Sequence, residues 1–324
     1  MESGLILLNK KKCVTSFDAL RDIKRSLGTG KVGHTGTLDK FAQGLLLVLV
    51  GRALKLSQWF THCDKQYEGK IHFGIETDTL DPEGKVTAEA EVPSRENVEK
   101  ALSQFNGEIM QTPPAYSAIH INGKRASELA RSGQAPEMKK RQVNIYKIEL
   151  RDYDPPFADI FVHCSCGVYI RSIARDIALA AGSRGHLASL VRTQIAGFKL
   201  PMNNEYIEIR NETLHTPNLP VTDPYSPLPI DKTIINLLGL PWFELESSDI
   251  EKFIHGKAPD LILSGKHLFP SMHSAPRNAG PMSLRINSSS KIIKTAAVFC
   301  GETLAAVVEE AGGKWKYGCV MGNG

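Results

Sequence analysis

The chain has 324 residues, 42% of them hydrophobic and 23% charged, values that exclude an intrinsically disordered protein. Lys plus Arg number 39 against 35 for Asp plus Glu, and the net charge of +4 permits a polyanionic partner without requiring one. No apolar run approaches the ~20 residues of a membrane-spanning helix, and the first apolar stretch precedes Lys10-Lys11-Lys12, the reverse of a secretory signal, so a cytoplasmic protein is expected.

The length favours two domains over one core. Leu5 to Leu8 reads as a short buried strand. Ser16 is placed as the cap of a helix with Phe17, Leu20, Ile23 and Leu27 inward and Gly28 at its left-handed end. A glycine-punctuated loop, Gly28 to Asp39, leads to Leu45–Val50, an apolar run between Gly44 and Gly51 that suits a strand buried on both faces. Arg52 to Phe60 reads as a helix. From Tyr67 the chain alternates, with Tyr67, Gly69, Ile71 and Phe73 on one face and Glu68, Lys70 and His72 on the other, which is a strand.

Ser94 opens a helix with Val98, Ala101, Leu102 and Phe105 inward and Gly107 at its end. Val143–Leu150 and Ile160–Cys164 read as strands, and Ile170, Ile173, Ile177 and Ala181 mark an amphipathic helix closed by Gly182. Strands and helices do not alternate as regular βαβ units, so the fold class is α+β. Pro217, Pro220, Pro224, Pro227 and Pro229 read as a linker. Beyond it, Ser248-Asp249-Ile250-Glu251 is a capping box, and Ala296 to Val308 reads as a hairpin turned at Gly301 to Thr303, in a small, mostly β domain.

The six cysteines form no CxxC pair and no zinc-site spacing; Cys164 and Cys166 read as reduced thiols in a strand, and no metal is expected. Gly33-His34-Thr35-Gly36-Thr37-Leu38-Asp39 is the most informative stretch. Its glycines allow tight turns and close approach to a ligand, yet on spacing alone a polar loop with a capping Asp is the better reading. Gly167-Val168-Tyr169-Ile170-Arg171 stands at a strand-to-helix junction, and Arg is the natural partner of a carboxylate kept ionised in a closed site. Tyr67 heads its strand's apolar face. Pro113-Pro114 forces a stiff, extended segment, either a recognition surface or a rigid connection.

Together, in order and spacing, these stretches resemble the bacterial tRNA pseudouridine-55 synthases, the TruB family. The match runs through Gly33–Asp39 and Ala42-x-Gly44, Asp64–Tyr67, Gly74-x-x-Thr77-Asp78-Thr79-x-Asp81-x-x-Gly84, Pro113–Ala118, Gly123–Arg125, Glu128-x-Ala130-Arg131, Cys164–Asp176, Gly185–Leu187 and Leu190–Thr193 with Gly197. It covers roughly residues 4 to 200. Departures are Lys40 in place of the usual Pro, Lys10-Lys11-Lys12-Cys13 in place of Lys-Pro-x-Gly, and His120 and Ser127 in place of a Lys and a Tyr.

The resemblance implies a mixed, mostly antiparallel sheet with flanking helices over residues 1–225, followed by a small PUA-like RNA-binding domain over 226–324. It implies isomerisation of uridine to pseudouridine in the T-loop of tRNA by a base-flipping mechanism, with no cofactor, no metal, no membrane and no obligatory protein partner, as a monomer. Asp39 takes the place of the catalytic carboxylate facing C1′, as nucleophile or as base at C2′, alternatives the sequence leaves open. Arg171 supplies the charge that holds Asp39. Tyr67 stacks on the base and assists deprotonation at C5, and Tyr169 packs beneath the site. His34 fills the space of the flipped uridine, whose unstacking costs a few kcal/mol (an order-of-magnitude figure). Leu190 joins the substrate-binding set. Lys10, Lys31, Lys40, Arg52 and Arg192 are candidates to hold phosphates. Three rivals are weighed: a guide-RNA-dependent synthase, an RNA-binding protein without catalysis, and a glycosidase of free nucleosides.

Overall fold

A computed structural model of the chain describes residues 3–134, 136–200, 225–254, 259–263, 284–286 and 292–321. Elements run in the order β1 (Gly4–Lys10), α1 (Arg21–Ser26), β2 (Val32–His34), β3 (Gln43–Val50), α2 (Ser57–Thr61), β4 (Lys65–Phe73), β5 (Ile75–Thr77), β6 (Val86–Glu89), α3 (Arg95–Leu102) and β7 (Gly107–Gln111). Then come β8 (His120–Ile121), β9 (Lys124–Arg125), α4 (Ala126–Arg131), β10 (Arg141–Asp154), β11 (Phe157–Cys164), α5 (Ile170–Ala180), β12 (Gly185–Ile195) and β13 (Phe198–Lys199). The remainder is α6 (Lys232–Leu237), β14 (Trp242–Glu244), α7 (Ser247–Ile254), α8 (Pro259–Leu263), β15 (Leu284–Ile286), β16 (Ile292–Cys300), β17 (Thr303–Ala311) and β18 (Lys314–Val320).

Among the described residues, nine strands form the main sheet, in the order β1-β3-β12-β4-β11-β10-β7, with β2 added on β3 and β13 on β12. Every pairing is antiparallel except β3 with β12. That one joint is short, Val191 with Gln43 and Arg192 with Gly44. Gly44 makes it possible: its φ is +111°, and a Cβ there would stand 2.4 Å from the Arg192 carbonyl oxygen.

The expected two-faced burial of Leu45–Val50 has a direct cause. Leu45, Leu47 and Leu49 enter one core with Leu5, Trp59, Phe60 and Phe198, while Leu46, Val48 and Val50 enter another with Ile6, Leu20 and Ile23. Along β4, Tyr67, Ile71 and Phe73 point to the face covered by α3 and α5, through Val98, Leu102, Ile173 and Ile177. Ser94 caps α3 by accepting from Asn97 N (3.3 Å), and Gly182, at φ +76°, closes α5. The second sheet, β14-β16-β17-β18 with β15 on β16, contains the expected hairpin with Cys300 opposite Thr303.

Four local expectations are corrected. Ser16 caps no helix: its hydroxyl accepts from Leu38 N and donates to Leu38 O, both at 2.9 Å, so a tertiary contact outcompetes the local one. Phe17 faces solvent, 71% exposed, with the Lys24 ammonium 4.7 Å from its ring. Helix α7 begins at Ser247, leaving Ser248 inside its first turn. Cys166 stands beyond β11, which ends at Cys164. Of the proline-rich segment, Pro217, Pro220 and Pro224 lie outside the described residues. Its end is no free linker, because Leu228 exchanges both backbone hydrogen bonds with Leu5 at 2.8 Å. The core that holds Leu5 and Trp59 also takes in Leu228, Ile234, Leu238, Phe299 and Val307, so the two sheets share apolar packing.

Candidate active site

The loop after β2 carries Asp39, and buried cations shape it. Lys10, 1% exposed, donates from Nζ to the carbonyls of Ala42 and Val14, each at 2.6 Å, and of Lys11 at 3.0 Å. Burial pulls this amine down to about 8. Arg192, also 1% exposed, donates from Nε to Leu45 O at 2.7 Å, with Gly36 O and Thr37 O at 3.3 and 3.4 Å. On the sequence alone both are candidates to hold phosphates. The structure corrects this for each, since they are enclosed and spent on backbone carbonyls that would otherwise be buried without donors. Lys31, Lys40 and Arg52 are exposed, and Lys40 pairs with Glu83 at 3.3 Å.

The first turn of α5 delivers Arg171 to Asp39. Nε donates to Oδ2 at 2.9 Å and Nη2 to Oδ1 at 3.1 Å, a fork that fixes the carboxylate in one plane. The remaining donors reach Thr79 O (2.7 Å), Tyr116 O (3.0 Å) and the Asp81 carboxylate (3.6 Å). The guanidinium is thus engaged on every side and its side chain is 5% exposed, whereas that of Asp39 is 36% exposed. Asp81 lies behind it, accepting from Thr79 Oγ1 at 2.6 Å and Glu83 N at 3.0 Å. Burial raises the Asp81 carboxyl, while those donors and Arg171 pull it back.

Asp39 opens into a cavity of about 520 Å³ lined by Tyr67, Tyr169, Arg171 and Leu190. Tyr67 is buried, and desolvation pushes its phenol up to about 12 against the opposing Arg192 charge. It is therefore a neutral phenol at neutral pH. Tyr169 is the N-cap residue of α5, with its backbone clamped by Gln111: Tyr169 N donates to Oε1 (2.9 Å) and Nε2 donates to Tyr169 O (3.1 Å). Arg141 covers its ring at 4.8 Å and donates to Gly167 O. The stiff segment after Gln111 is a strap over the start of α5, where Thr112 O accepts from Ser172 Oγ at 2.8 Å and Arg175 Nη2 at 3.1 Å.

Asp39, Tyr67, Tyr169, Arg171 and Leu190 are thus brought together around one cavity. His34 and Lys10 are not part of its lining. His34 ends β2 opposite Val48, its Nδ1 buried without a partner, and desolvation and Arg192 lower its pKa. Sequence reasoning misses Asp81, Tyr116, Gln111, Arg141 and Lys65. Asp81, Tyr116 and Lys65 stood inside recognised motifs, but nothing along the chain signalled that they converge on Arg171, Tyr169 or the cavity floor. The described residues contain no group of three or more His, Cys, Asp or Glu able to hold a metal ion.

Known proteins give this site a context. The model of the TruB family pseudouridylate synthase N-terminal domain matches residues 24–170. The chain is 45% identical over 203 residues to the tRNA pseudouridine synthase B of Borreliella burgdorferi, covering 62% of this chain and 72% of that protein. To the protein of the same name from Francisella tularensis subsp. novicida it is 39% identical over 253 residues, covering 77% and 82%. Its fold is similar to a chain in the crystal structure of a Cbf5-Nop10-Gar1 complex, with a TM-score of 0.66 at 21% identity over 98% of this chain and 85% of that one.

Proposed function

The chain belongs to the TruB family of pseudouridine synthases, and from that premise we propose that it is a tRNA isomerase converting uridine 55 of the T-loop to pseudouridine. The observation that carries the reading is the Arg171–Asp39 fork at the wall of a cavity floored by Tyr67. Isomerisation breaks the N1–C1′ bond of the flipped uridine and joins C5 to C1′. The C5 proton passes to solvent and N1 takes one up, so the reaction needs no redox partner. A half-exposed carboxylate held rigidly by a buried guanidinium suits attack at C1′ or proton removal at C2′, because it reaches the substrate without rotating away.

Tyr67 provides a flat apolar surface for the uracil ring. With its phenol held near 12, it enters the reaction protonated and serves C5 deprotonation only through a proton acceptor beside it. Tyr169 and Leu190 complete the walls. The exposed Arg125 and Arg131 at the cavity mouth are placed to meet phosphates. Residues 1–225 serve as the catalytic unit and 226–324 as a PUA-like RNA-binding unit. The enzyme acts in the cytoplasm as a monomer without an obligatory protein partner; among the described residues no helix is long and apolar enough to cross a membrane.

The test is tritium release from a T-stem-loop RNA labelled at C5 of the target uridine, with purified chain and no guide RNA. Wild-type protein should release tritium, and Asp39→Asn should bind the RNA and release none. Turnover by Asp39→Asn near the wild-type rate would remove Asp39 from the chemistry. A requirement for guide RNA would move the chain to the guide-dependent class.

A further inference from the structure

Two cations in the cavity have no role in the reaction as derived so far. Lys65 is 7% exposed and Arg192 1%, and both line the cavity beside Tyr67. Lys65 Nζ donates to Thr61 O at 3.0 Å and Cys63 O at 2.5 Å, which leaves the third of its three N–H groups for the cavity. The charged and titratable neighbours that act on this amine are Cys63, Arg192, Cys166 and Cys164. The adjacent Asp64 carboxyl also feels the lysine charge, but it takes its hydrogen bond from Tyr146 Oη at 3.1 Å, while the lysine donates to carbonyls. Arg192 is likewise held by neutral groups, the carbonyls of Leu45, Gly36 and Thr37 and the Tyr67 hydroxyl. The cavity's one acidic lining residue, Asp39, is already engaged by Arg171. Burying a cation without a counter-charge is costly, and a second cation alongside adds repulsion. Burial and Arg192 together lower the Lys65 pKa.

An anion that arrives with the substrate would remove that cost, and two anions are available. Phosphates travel hydrated along the RNA strand and meet the exposed Arg125 and Arg131 at the mouth. The other anion is made inside. When the glycosidic bond breaks, its electron pair leaves with N1 and the charge spreads over the ring to O2 and O4. Resting on the proposed reaction, we propose that Lys65, backed by Arg192, is a catalytic residue that stabilises the detached uracil anion until C5 bonds to C1′. The C5 proton then goes to solvent and N1 is protonated, so the charge is transient and every electron is accounted for. A donor aimed at charge present only in the transition region is worth roughly 10²–10³ in rate.

The experiment compares single-turnover rates at saturating protein for stem-loops carrying uridine or 5-fluorouridine at the target. Loss of the starting nucleoside is followed by digestion and chromatography. Fluorine stabilises the ring anion, so the fluorinated substrate depends less on Lys65. Lys65→Met should slow uridine by about 10²-fold or more and slow 5-fluorouridine clearly less, raising the ratio of the two rates, with RNA affinity unchanged. Equal slowing of both substrates overturns the proposal. So does a loss confined to affinity with a shallower salt dependence, which would make Lys65 a phosphate ligand. If Lys65→Met does not fold, Lys65→Gln, which keeps a polar head and removes the charge, is read by the same ratio, and an unchanged ratio overturns the proposal. No reaction of the wild-type protein with either substrate would instead refute the proposed function itself.

Discussion

At the scale of single residues, the geometry of Arg171 sets a strict requirement. Its five N–H groups serve Asp39, Asp81, Thr79 and Tyr116 in one plane. Lysine offers a compact charge without the fork. Arg171→Lys should therefore fold, as judged by circular dichroism, and lose about 10²-fold or more in single-turnover rate; a rate within a few-fold of wild type would show that charge alone suffices. Tyr67 offers a pH test. Its phenol stands near 12 when folded against 10.0 for the free group, so the folded state holds that proton more tightly. The associated stability is complete below pH 10 and lost as pH rises through 12, and the pH–rate profile should carry no Tyr67 limb around 10. Tyr67→Phe should keep RNA affinity and lose about 10²–10⁴ in turnover if the hydroxyl takes part in proton transfer, whereas near-normal turnover would reduce Tyr67 to a stacking surface. Asp39, Tyr67 and Arg171 were legible through the order of their motifs. The burial of Lys10 and Arg192 was not, because a Lys in a basic run or an Arg on a strand looks the same whether the facing chain offers solvent or a set of carbonyls.

At the scale of elements, periodicity was a reliable guide wherever one sheet face or one helix stripe met a single partner. The alternation in β4 and the apolar stripe of α5 are such cases. It failed at Ser16, whose hydroxyl could satisfy a helix end or a distant backbone and was taken by Leu38. It also could not foresee the parallel β3–β12 joint, which pairs segments some 150 positions apart at Arg192 and Gly44. That joint makes a prediction of its own. Gly44→Ala places a Cβ 2.4 Å from Arg192 O at a φ of +111°, so it should cost roughly 2–4 kcal/mol in urea denaturation and disturb the Arg192 contacts to Gly36 and Thr37. A wild-type midpoint would mean that the strands separate there at no cost.

For the whole molecule, the shared apolar core decides what can be removed. Leu5, Leu47 and Phe198 from the main sheet and Trp59 from α2 pack with Ile234, Ile235, Leu238, Phe299 and Val307 from beyond the proline-rich segment. Gly197 is part of the same contact: its N–H donates to Leu237 O at 2.8 Å, and a Cβ there would meet that oxygen at 2.8 Å. A chain ending at residue 200 would expose this face, so it should aggregate or melt well below the full-length protein in a calorimetric scan. A truncated chain with an unchanged melting temperature would show that the catalytic sheet stands alone. The sequence announced a second, mostly β unit, but composition and proline spacing carry no information about how much surface two units bury against each other.

The Arg192 contact also has a consequence in time. The loop bearing Asp39 is closed by a guanidinium encoded some 150 residues later, and the carboxylate's own partner, Arg171, also comes late. During synthesis the N-terminal strands emerge first, yet the catalytic loop lacks Arg171 until α5 has emerged and Arg192 until β12 has left the ribosome. A nascent chain therefore passes through a long interval in which it carries the Asp39 motif but no assembled site. The carboxylate is held in its working geometry only after β12 has joined the catalytic sheet.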